Sequence, residues 1–340
     1  MSETLHFEAF SSTVEPEFWS GLAHHKLHSA RLDTTRALVR GEFSGGRRHA
    51  VRGSNLGEAA QRLAVPARLR INQDISDTLQ DSEQKQRPRR SGVVSVDGHL
   101  FNTNTIEEFK KYDKGELLRN TGAEILDAVR SGRATQDPEL LWPFLLLSFA
   151  DLKKYHFYHW FAFPAVTADP PDTVAEPPVP LKSLVARSSD MAYLLSELAG
   201  SSACLQGAFV ARYYSSESAR PWRIGSLSDW DEVCDDKLED GGLPMIGFVD
   251  PSSHSTRPGW PLRNLLTWLR HCHPEVATAR VLCFRDTALL AGRPVDSALL
   301  EEQCESIVLG VSVTPAASLA DECQVSGWER NEKQRLVPRI

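Results

Sequence analysis

The residues whose spacing could support chemistry are a histidine pair and a cysteine between two histidines. His24 and His28 are one helical turn apart, the spacing of a two-histidine metal face. No H-E-x-x-H pattern or nearby third ligand accompanies them, so we expect surface histidines. Cys272 lies between His271 and His273, but adjacent residues on a helix seldom face one another. We expect a helix C-terminus there, where histidines complement the helix dipole.

Sequence motifs for catalysis or nucleotide binding are missing from the chain. The patterns G-x-S-x-G, G-x-G-x-x-G and G-x-x-x-x-G-K-[ST] do not occur, so a nucleophile elbow and a backbone cradle for phosphates are both lacking. Paired carboxylates occur near expected helix starts or in polar stretches, at Glu107-Glu108, Asp235-Asp236 and Glu301-Glu302. We therefore predict no catalytic residue, no bound cofactor and no metal site in this chain.

A charged turn inside an aromatic stretch is a better candidate for a binding site. Pro143 to Pro164 is the densest apolar and aromatic run of the chain, and it predicts a β-hairpin broken by charged residues. Aromatic residues alternate onto both faces of its second strand, so we expect helices or other layers on both sides. A charged loop on a rigid scaffold commonly holds binding residues. Asp151, Lys153 and Lys154 are therefore predicted partner contacts, and a core hairpin with a solvated turn is the alternative.

A strand, helix and strand between Met245 and Asp286 predict a parallel, right-handed βαβ unit. The loop after its first strand is where α/β proteins usually place ligands. Trp260 and Arg263 are therefore further predicted contacts, although a structural role for Trp260 is equally open. Opposite the leucine stripe of the helix, Arg263, Thr267 and Arg270 predict a solvated face.

The remaining pattern predicts a mixed α/β (α+β) chain with central mixed sheets and flanking helices. We expect a first subdomain over 1–168, a proline-rich connector over 169–180, and a second subdomain over 181–340 that contains the βαβ unit. Between Gly41 and Arg90 the apolar pattern thins and ends in a basic run, which predicts a solvated loop. Other expected elements are strands at Leu5–Phe10, Val65–Ile71, Val93–Leu100 and Ser306–Val313, and a helix opening near Pro16. Capped helices are expected to start at Thr105 and Asp113, the second of them ending at Gly132.

Bulk composition narrows the class of protein. The net charge is −7 over 340 residues, which disfavours nucleic acid and anionic membranes as partners. No apolar run approaches the roughly 20 residues that span a bilayer, and no signal peptide is evident. The six cysteines form no C-x-x-C pair, which is typical of a reducing compartment. We expect a cytoplasmic protein.

Five segments together carry a resemblance to a known family. They are FNTNTIEEFKKYDK from Phe101, FADLKKYHFYHWF from Phe149, PGWPLRN from Pro258, CFRD from Cys283 and GWERNEKQRLVPR from Gly327. In order and spacing the chain resembles the N-terminal domain of autophagy-related protein 7, the activating enzyme for the ubiquitin-like modifiers of autophagy. The family often has Phe-Ala-Pro near its start, where this chain has Phe7-Glu8-Ala9.

The resemblance implies a non-catalytic recruitment domain. In the family this domain docks two conjugating enzymes, one for the lipid-linked modifier and one for the modifier joined to autophagy-related protein 5. A C-terminal adenylation domain, expected to be absent here, binds ATP, carries the catalytic cysteine and forms the homodimer. We expect this fragment to be monomeric. It is expected to dock the conjugating enzymes so that the modifier is transferred to their cysteine. A self-contained α/β enzyme or a small-ligand-binding module is the alternative.

Overall fold

The structure is a computed structural model. It describes residues 3–50, 62–65, 67–71, 92–185, 187–214, 220–234, 241–290, 304–314 and 324–328. Most of the range between Gly41 and Arg90, including its basic run, lies outside these residues. Its described part is largely strand, at Arg47–Ala50 and Arg62–Val65 where a loop was predicted and at Arg68–Ile71 where a strand was predicted.

Among the described residues, two large β-sheets and a small two-stranded sheet form the fold together with flanking helices, as the mixed α/β prediction expects. The strands are β1 Ser11–Val14, β2 Ala37–Phe43, β3 Arg47–Ala50, β4 Arg62–Val65, β5 Arg68–Ile71, β6 Val94–Thr103, β7 Phe144–Asp151, β8 His156–Val166, β9 Thr173–Pro180, β10 Ala208–Tyr213, β11 Trp222–Gly225, β12 Leu243–Val249, β13 Thr278–Phe284, β14 Ile307–Ser312 and β15 Val325–Trp328. The α-helices are α1 Pro16–His25, α2 Ile106–Lys111, α3 Lys114–Arg130, α4 Arg133–Gln136, α5 Leu181–Leu184, α6 Ser188–Gly200, α7 Ser202–Leu205, α8 Trp230–Val233 and α9 Pro261–Cys272. One π-helical turn, Lys26–Ala30, extends α1, and 3-10 turns occur at Pro138–Leu141, Leu227–Asp229 and Thr287–Leu290.

The first sheet has seven strands in the order β1-β5-β2-β6-β7-β8-β15. Strands β7 and β8 form the predicted antiparallel hairpin, and each has a neighbouring strand on both sides. Helices α2 and α3 cover the face that contains Trp160, while Trp19 of α1 stacks on Phe157 of the opposite face. The prediction of an interior aromatic hairpin, covered on both faces, is therefore confirmed.

The second sheet has six strands in the order β11-β10-β12-β13-β14-β9. Strands β12 and β13 pair in parallel and α9 connects them, so the prediction of a parallel βαβ unit is confirmed, while its right-handed crossover stays a prediction. All other described pairs in this sheet are antiparallel. A continuous set of buried apolar residues includes members of both sheets and of α9, so the helix lies in the core.

Local capping explains where the helices of the first sheet begin. Thr105 Oγ1 accepts a hydrogen bond from the Glu108 N–H at 3.1 Å, and the Glu108 carboxylate accepts from the Thr105 N–H at 3.3 Å. Asp113 caps α3 by accepting from the Glu116 N–H at 2.9 Å. Gly132 follows the end of α3 with φ 75°, the left-handed conformation that glycine adopts without strain. These three predictions are confirmed.

One strand prediction near the N-terminus is wrong. Leu5–Phe10 makes no ladder, because Leu5 donates its N–H to Asp172 O while Glu8 donates to Pro258 O, in a different segment. The strand is instead Ser11–Val14, whose Ser and Thr residues pair in parallel with β5. The predicted strand Ser306–Val313 is confirmed as β14, and Val325–Trp328 adds a further strand to β8. There Gly327 has φ 145°, and a Cβ atom would lie 2.0 Å from the Phe163 carbonyl oxygen.

The predicted connector over 169–180 is largely a strand. Thr173–Pro180 pairs with β14 at the edge of the second sheet, where prolines are tolerated because one side of the strand forms no ladder. The division into two subdomains stays a prediction. The chain returns to the first sheet through β15 after completing the second sheet.

The solvated face predicted for α9 is also wrong in two of its three residues. Thr267 and Arg270 are 0% and 6% exposed, because the helix packs between α3 and β8 on one side and the second sheet on the other. Arg270 donates from Nη2 to both carboxylate oxygens of Asp172 at 2.7 and 2.8 Å. Their pairing is therefore a buried cross-link between α9 and the segment before β9.

Candidate functional site

The hairpin turn presents charged side chains on a fixed backbone. The Lys154 N–H donates to the Asp151 carbonyl oxygen at 3.2 Å and to Asp151 Oδ1 at 3.3 Å. Lys154 Nζ lies 3.8 Å from Asp151 Oδ2, and Tyr155 closes the turn with φ 52°. Lys153 and Lys154 are both exposed. Their ammonium groups are free to meet a partner without losing a buried contact.

Helix α1 holds this turn from one side. The Tyr155 hydroxyl lies 3.1 Å from Ser20 Oγ, and the Trp19 and Phe157 rings stack with their centroids 5.1 Å apart. Leu152 and Trp19 also pack against a buried apolar cluster made of Ala23, Ala150 and Phe157. The turn is thus supported by packed side chains, which is what a rigid binding loop requires.

Trp260 and Arg263 lie at the start of α9 and join it to the N-terminal segment. The Trp260 N–H donates to Glu8 O at 3.1 Å. The Arg263 guanidinium lies 4.6 Å from the centre of the Phe7 ring, and its Nη1 is 3.3 Å from Ser326 Oγ of β15. Burial lowers the pKa of Arg263 from its ordinary value. Both side chains are half-buried, so each combines a structural contact with limited access to solvent.

A cavity of about 230 Å³ lies beside Arg263. Residues of the N-terminal segment, the end of β8 and the segment before β9 form its walls, together with Arg270. Asp172, which pairs with Arg270, also accepts from the Thr314 N–H at 3.2 Å, and Arg270 Nε donates to Thr314 O at 2.8 Å. The charges of this cavity are therefore mostly balanced within the chain.

The structure does not bring the two predicted groups of contacts together. The charged turn precedes His156 at the start of β8, whereas Arg263 contacts Ser326, which pairs with Ala165 near the end of β8. A β-strand rises about 3.3 Å per residue, so the length of β8 separates them by roughly 30 Å. They form two surfaces, and the structure tests neither as a contact.

A buried ion pair under the loop before α9 was missed by sequence reasoning. Arg285 of the CFRD segment donates from Nε to Asp250 Oδ2 at 2.9 Å, and its Nη2 lies 2.9 Å from the same oxygen as part of the ion pair. The two side chains are 1% and 0% exposed. Arg285 also donates to the carbonyl oxygens of His254 and Arg257, at 2.7 and 3.1 Å. Asp250 Oδ1 accepts from the Gly259 N–H at 2.9 Å. This network shapes the loop that follows β12. Its sequence signal was that Asp250 and Arg285, which carry opposite charges, directly follow the adjacent parallel strands β12 and β13.

Asn264 of the PGWPLRN segment is a second buried connector. Its Nδ2 donates to Leu141 O at 2.8 Å and to Pro164 O at 3.0 Å, while its Oδ1 accepts from the Val166 N–H at 2.9 Å. The side chain is fully buried. Asn264 therefore fixes α9 against the end of the aromatic strand, and the family segment around it has a structural task.

Four of the described thiols lie in environments that favour the protonated form. Burial raises the pKa of Cys204 to about 12 and also raises the pKa of Cys272, Cys283 and Cys304. Helix α9 ends at Cys272, as predicted, and the Cys272 Sγ lies 3.9 Å from Thr135 Oγ1. The next residue, His273, stacks on Trp230 with ring centroids 4.2 Å apart.

The histidine pair at the end of α1 has the one-turn spacing considered above as a metal face. The His24 and His28 rings lie 4.4 Å apart. Within the described ranges, no group of three or more His, Cys, Asp or Glu residues is placed to hold a metal ion.

None of the described helices has the length and apolar character needed to cross a membrane.

Comparison with known proteins decides the family. A family model described as the N-terminus of the ubiquitin-like modifier-activating enzyme ATG7 matches residues 5–340. The chain belongs to the ATG7 N-terminal family. Its fold also matches the crystal structure of the Kluyveromyces marxianus Atg7NTD–Atg10 complex, with a TM-score of 0.59, 21% identity, and coverage of 100% of this chain and 97% of that one.

Curated ATG7 relatives match the whole chain. The protein from Gallus gallus is 32% identical over 345 residues, covering 100% of this chain and 43% of the relative. The Homo sapiens protein is 31% identical over 342 residues, with 99% and 43% covered. Sordaria macrospora ATG7 is 32% identical over 359 residues, with 99% and 46% covered. The chain thus spans less than half the length of these activating enzymes.

Proposed function

We propose that this chain recruits conjugating enzymes for an autophagy modifier-activating enzyme. Membership of the ATG7 N-terminal family supports the proposal. It is also supported by the K. marxianus relative of the same fold, whose structure contains Atg10. The conjugating enzyme for the lipid-linked modifier would be the second partner. The recruitment takes place in the cytoplasm.

In this proposal the chain contributes binding and no bond chemistry. It holds a conjugating enzyme so that the partner's cysteine meets the thioester of the activating enzyme, and the gain in rate comes from effective concentration. The raised thiol pKa values described above suit this division. ATP binding, the catalytic cysteine and homodimer contacts would belong to the remaining length of the full protein.

The hairpin turn is the surface that carries the proposal best. Lys153 and Lys154 are exposed on a backbone that Asp151 and helix α1 hold in place. A preorganised turn binds with a smaller loss of conformational entropy than a mobile loop. Trp260 and Arg263 are proposed as a second contact surface, because they are half-buried aromatic and arginine residues, the types enriched at interface hot spots.

Titration of the chain with each purified conjugating enzyme tests the proposal. The double variant Lys153→Glu, Lys154→Glu should weaken binding by about tenfold or more, since it replaces attraction by repulsion at the contact. Lys110→Glu with Lys111→Glu is the matched control, because it makes the same charge change at two exposed lysines of α2. Equal losses in both variants would indicate a general charge effect and remove the turn from the site.

A second assay tests the absence of chemistry. The chain is incubated with ATP and each modifier, and modifier adenylate is measured. We expect none above the level without protein. Adenylate formed by these 340 residues alone would contradict the recruitment proposal.

A further inference from the structure

A cavity of about 550 Å³ opens on the second sheet, away from the hairpin turn. It is more than twice as large as the cavity beside Arg263, at about 230 Å³. Its floor is apolar and buried, formed by Trp230, Met245, Ile246 and Ala279. The volume falls within the range of about 300–1,000 Å³ that is typical of ligand pockets.

The rim of this cavity carries uncompensated negative charge. Glu176 is neutralised by Arg280, whose Nη2 lies 2.9 Å from Glu176 Oε1. Asp231 and Glu275 are exposed on the rim, and no lysine or arginine among the described residues forms an ion pair with either carboxylate. An entering group therefore meets two carboxylates that pair with no described lysine or arginine, above an apolar floor.

The nearest titratable neighbour does not cancel these charges. His273 Nδ1 lies 3.4 Å from Glu275 Oε1, but burial lowers the pKa of His273 from its ordinary 6.5. The imidazole is therefore mostly neutral at pH 7. Its ring stacks on Trp230, so it also fixes the indole that forms one wall of the cavity.

Among the described residues, the cavity stays open to solvent at its rim. Helix α8, which supplies Trp230, is only four residues long. Thr278 at the start of β13 and Glu176 of edge strand β9 line the cavity while they are exposed to solvent. The buried apolar floor is therefore reached through a charged rim, an arrangement typical of binding pockets.

We propose that this cavity binds a partner-protein segment with one large apolar side chain flanked by lysine or arginine. The apolar side chain occupies the floor formed by Met245 and Trp230. The flanking cations pair with Asp231 and Glu275. Charge complementarity selects such a segment, because an acidic one would face two like charges during desolvation. This surface is independent of the hairpin turn and of the recruitment proposal.

The test uses the 340-residue chain and a defined probe, the peptide acetyl-Gly-Lys-Leu-Phe-Lys-Gly-amide. The chain contains three methionines, so labelling their methyl groups with ¹³C gives a simple spectrum. Met245 lies on the cavity floor, and Met191 is buried in α6 outside the cavity. Saturable probe binding should move the Met245 signal and leave the Met191 signal in place.

Variants separate the roles of rim and floor. Asp231→Asn with Glu275→Gln should raise the Kd of the probe about fivefold to tenfold, since two exposed charge pairs are lost. Thr278→Trp should weaken the probe by about tenfold or more, because the indole would occupy an exposed cavity position. The control is Glu232→Gln, an exposed carboxylate of α8 that pairs with Arg223 outside the cavity, and its Kd should stay within about twofold.

Two results would overturn the proposal. One is the absence of a saturable Met245 shift with the lysine probe while the Met191 signal reports a folded chain. The other is equal affinity for acetyl-Gly-Glu-Leu-Phe-Glu-Gly-amide, in which glutamate replaces lysine, because rim charge would then have no part in recognition. Neither result bears on conjugating-enzyme binding at the hairpin turn, so the two proposals fail separately.

Discussion

The hairpin turn and the ion pair under the loop before α9 both involve charged residues of the family segments, yet they use charge in opposite ways. In the turn, Lys153 and Lys154 extend into solvent from a packed scaffold. Under the loop, Arg285 and Asp250 are almost fully buried, and their bonds join strand ends to loop carbonyls. A family signature by itself therefore does not separate a binding residue from a structural one. The burial and the hydrogen-bond partners of a residue distinguish the two roles.

The strongest test of this contrast removes the buried arginine. Arg285→Met should lower the free energy of unfolding by about 3–5 kcal/mol, because Asp250 would stay buried without its cation. Arg280→Met is the matched control within β13, the strand that Arg285 directly follows. Its pair with Glu176 is partly exposed, so the loss should be less than about 1 kcal/mol. Urea unfolding of both variants measures the difference. Similar losses would mean that burial does not distinguish the two arginines.

Removing the buried amide of α9 should have the next largest effect. Asn264→Leu keeps the approximate size of the side chain but leaves the Leu141 and Pro164 carbonyls and the Val166 N–H without their partner. We expect a loss of about 2–4 kcal/mol in urea unfolding. Asn120→Leu, on the exposed face of α3, serves as the control and should change stability by less than about 0.5 kcal/mol.

The pH dependence of stability should reflect the buried histidines. Burial lowers the pKa of His99 and His273 in the folded chain. Below about pH 6.5 the unfolded chain therefore binds protons that the folded chain resists, and stability falls as the pH decreases. His273→Phe keeps a ring against Trp230 and removes one titrating group, so its unfolding free energy should fall less steeply between pH 7 and pH 5 than that of the wild type. An unchanged slope would contradict the assignment.

The smallest effect is expected at the turn. Lys153→Glu with Lys154→Glu should change the free energy of unfolding by less than about 1 kcal/mol, because the one ion pair that either lysine forms with a described residue is an exposed contact of 3.8 Å with Asp151. Together with weakened conjugating-enzyme binding, a small stability change would place the turn in the binding surface. A large drop in Tm would instead give it the same structural role as Arg285.

Local patterns predicted the elements whose evidence lies within a few residues. Alternating aromatics predicted the β7–β8 hairpin, and cap residues predicted the starts of α2 and α3. The features that local patterns did not predict depend on pairing between residues far apart in the sequence. The strand character of β9 depends on β14, and the burial of Arg270 depends on Asp172, which lies 98 residues away. The hydrophobic periodicity of α9 therefore gives no indication that Arg270 pairs with Asp172.

The candidate contacts show the same limit. Charge and aromatic character selected Asp151, Lys153, Lys154, Trp260 and Arg263 from the sequence, but the distance between their two surfaces depends on strand order and length. Arg263 contacts Phe7 and Ser326, two residues at opposite ends of the chain. A sequence pattern gives no sign of such a junction. Which of these residues a partner touches stays a prediction.

The late addition of β15 to β8 has a consequence for biosynthesis. Val325–Trp328 is the last described strand to leave the ribosome, and it covers one edge of the most aromatic strand in the molecule. Until it arrives, the nascent chain exposes that edge to strand pairing with other chains. A protein truncated before Val325 should therefore aggregate during expression. Gly327, which allows close approach to the Phe163 carbonyl, would be decisive for yield rather than for binding.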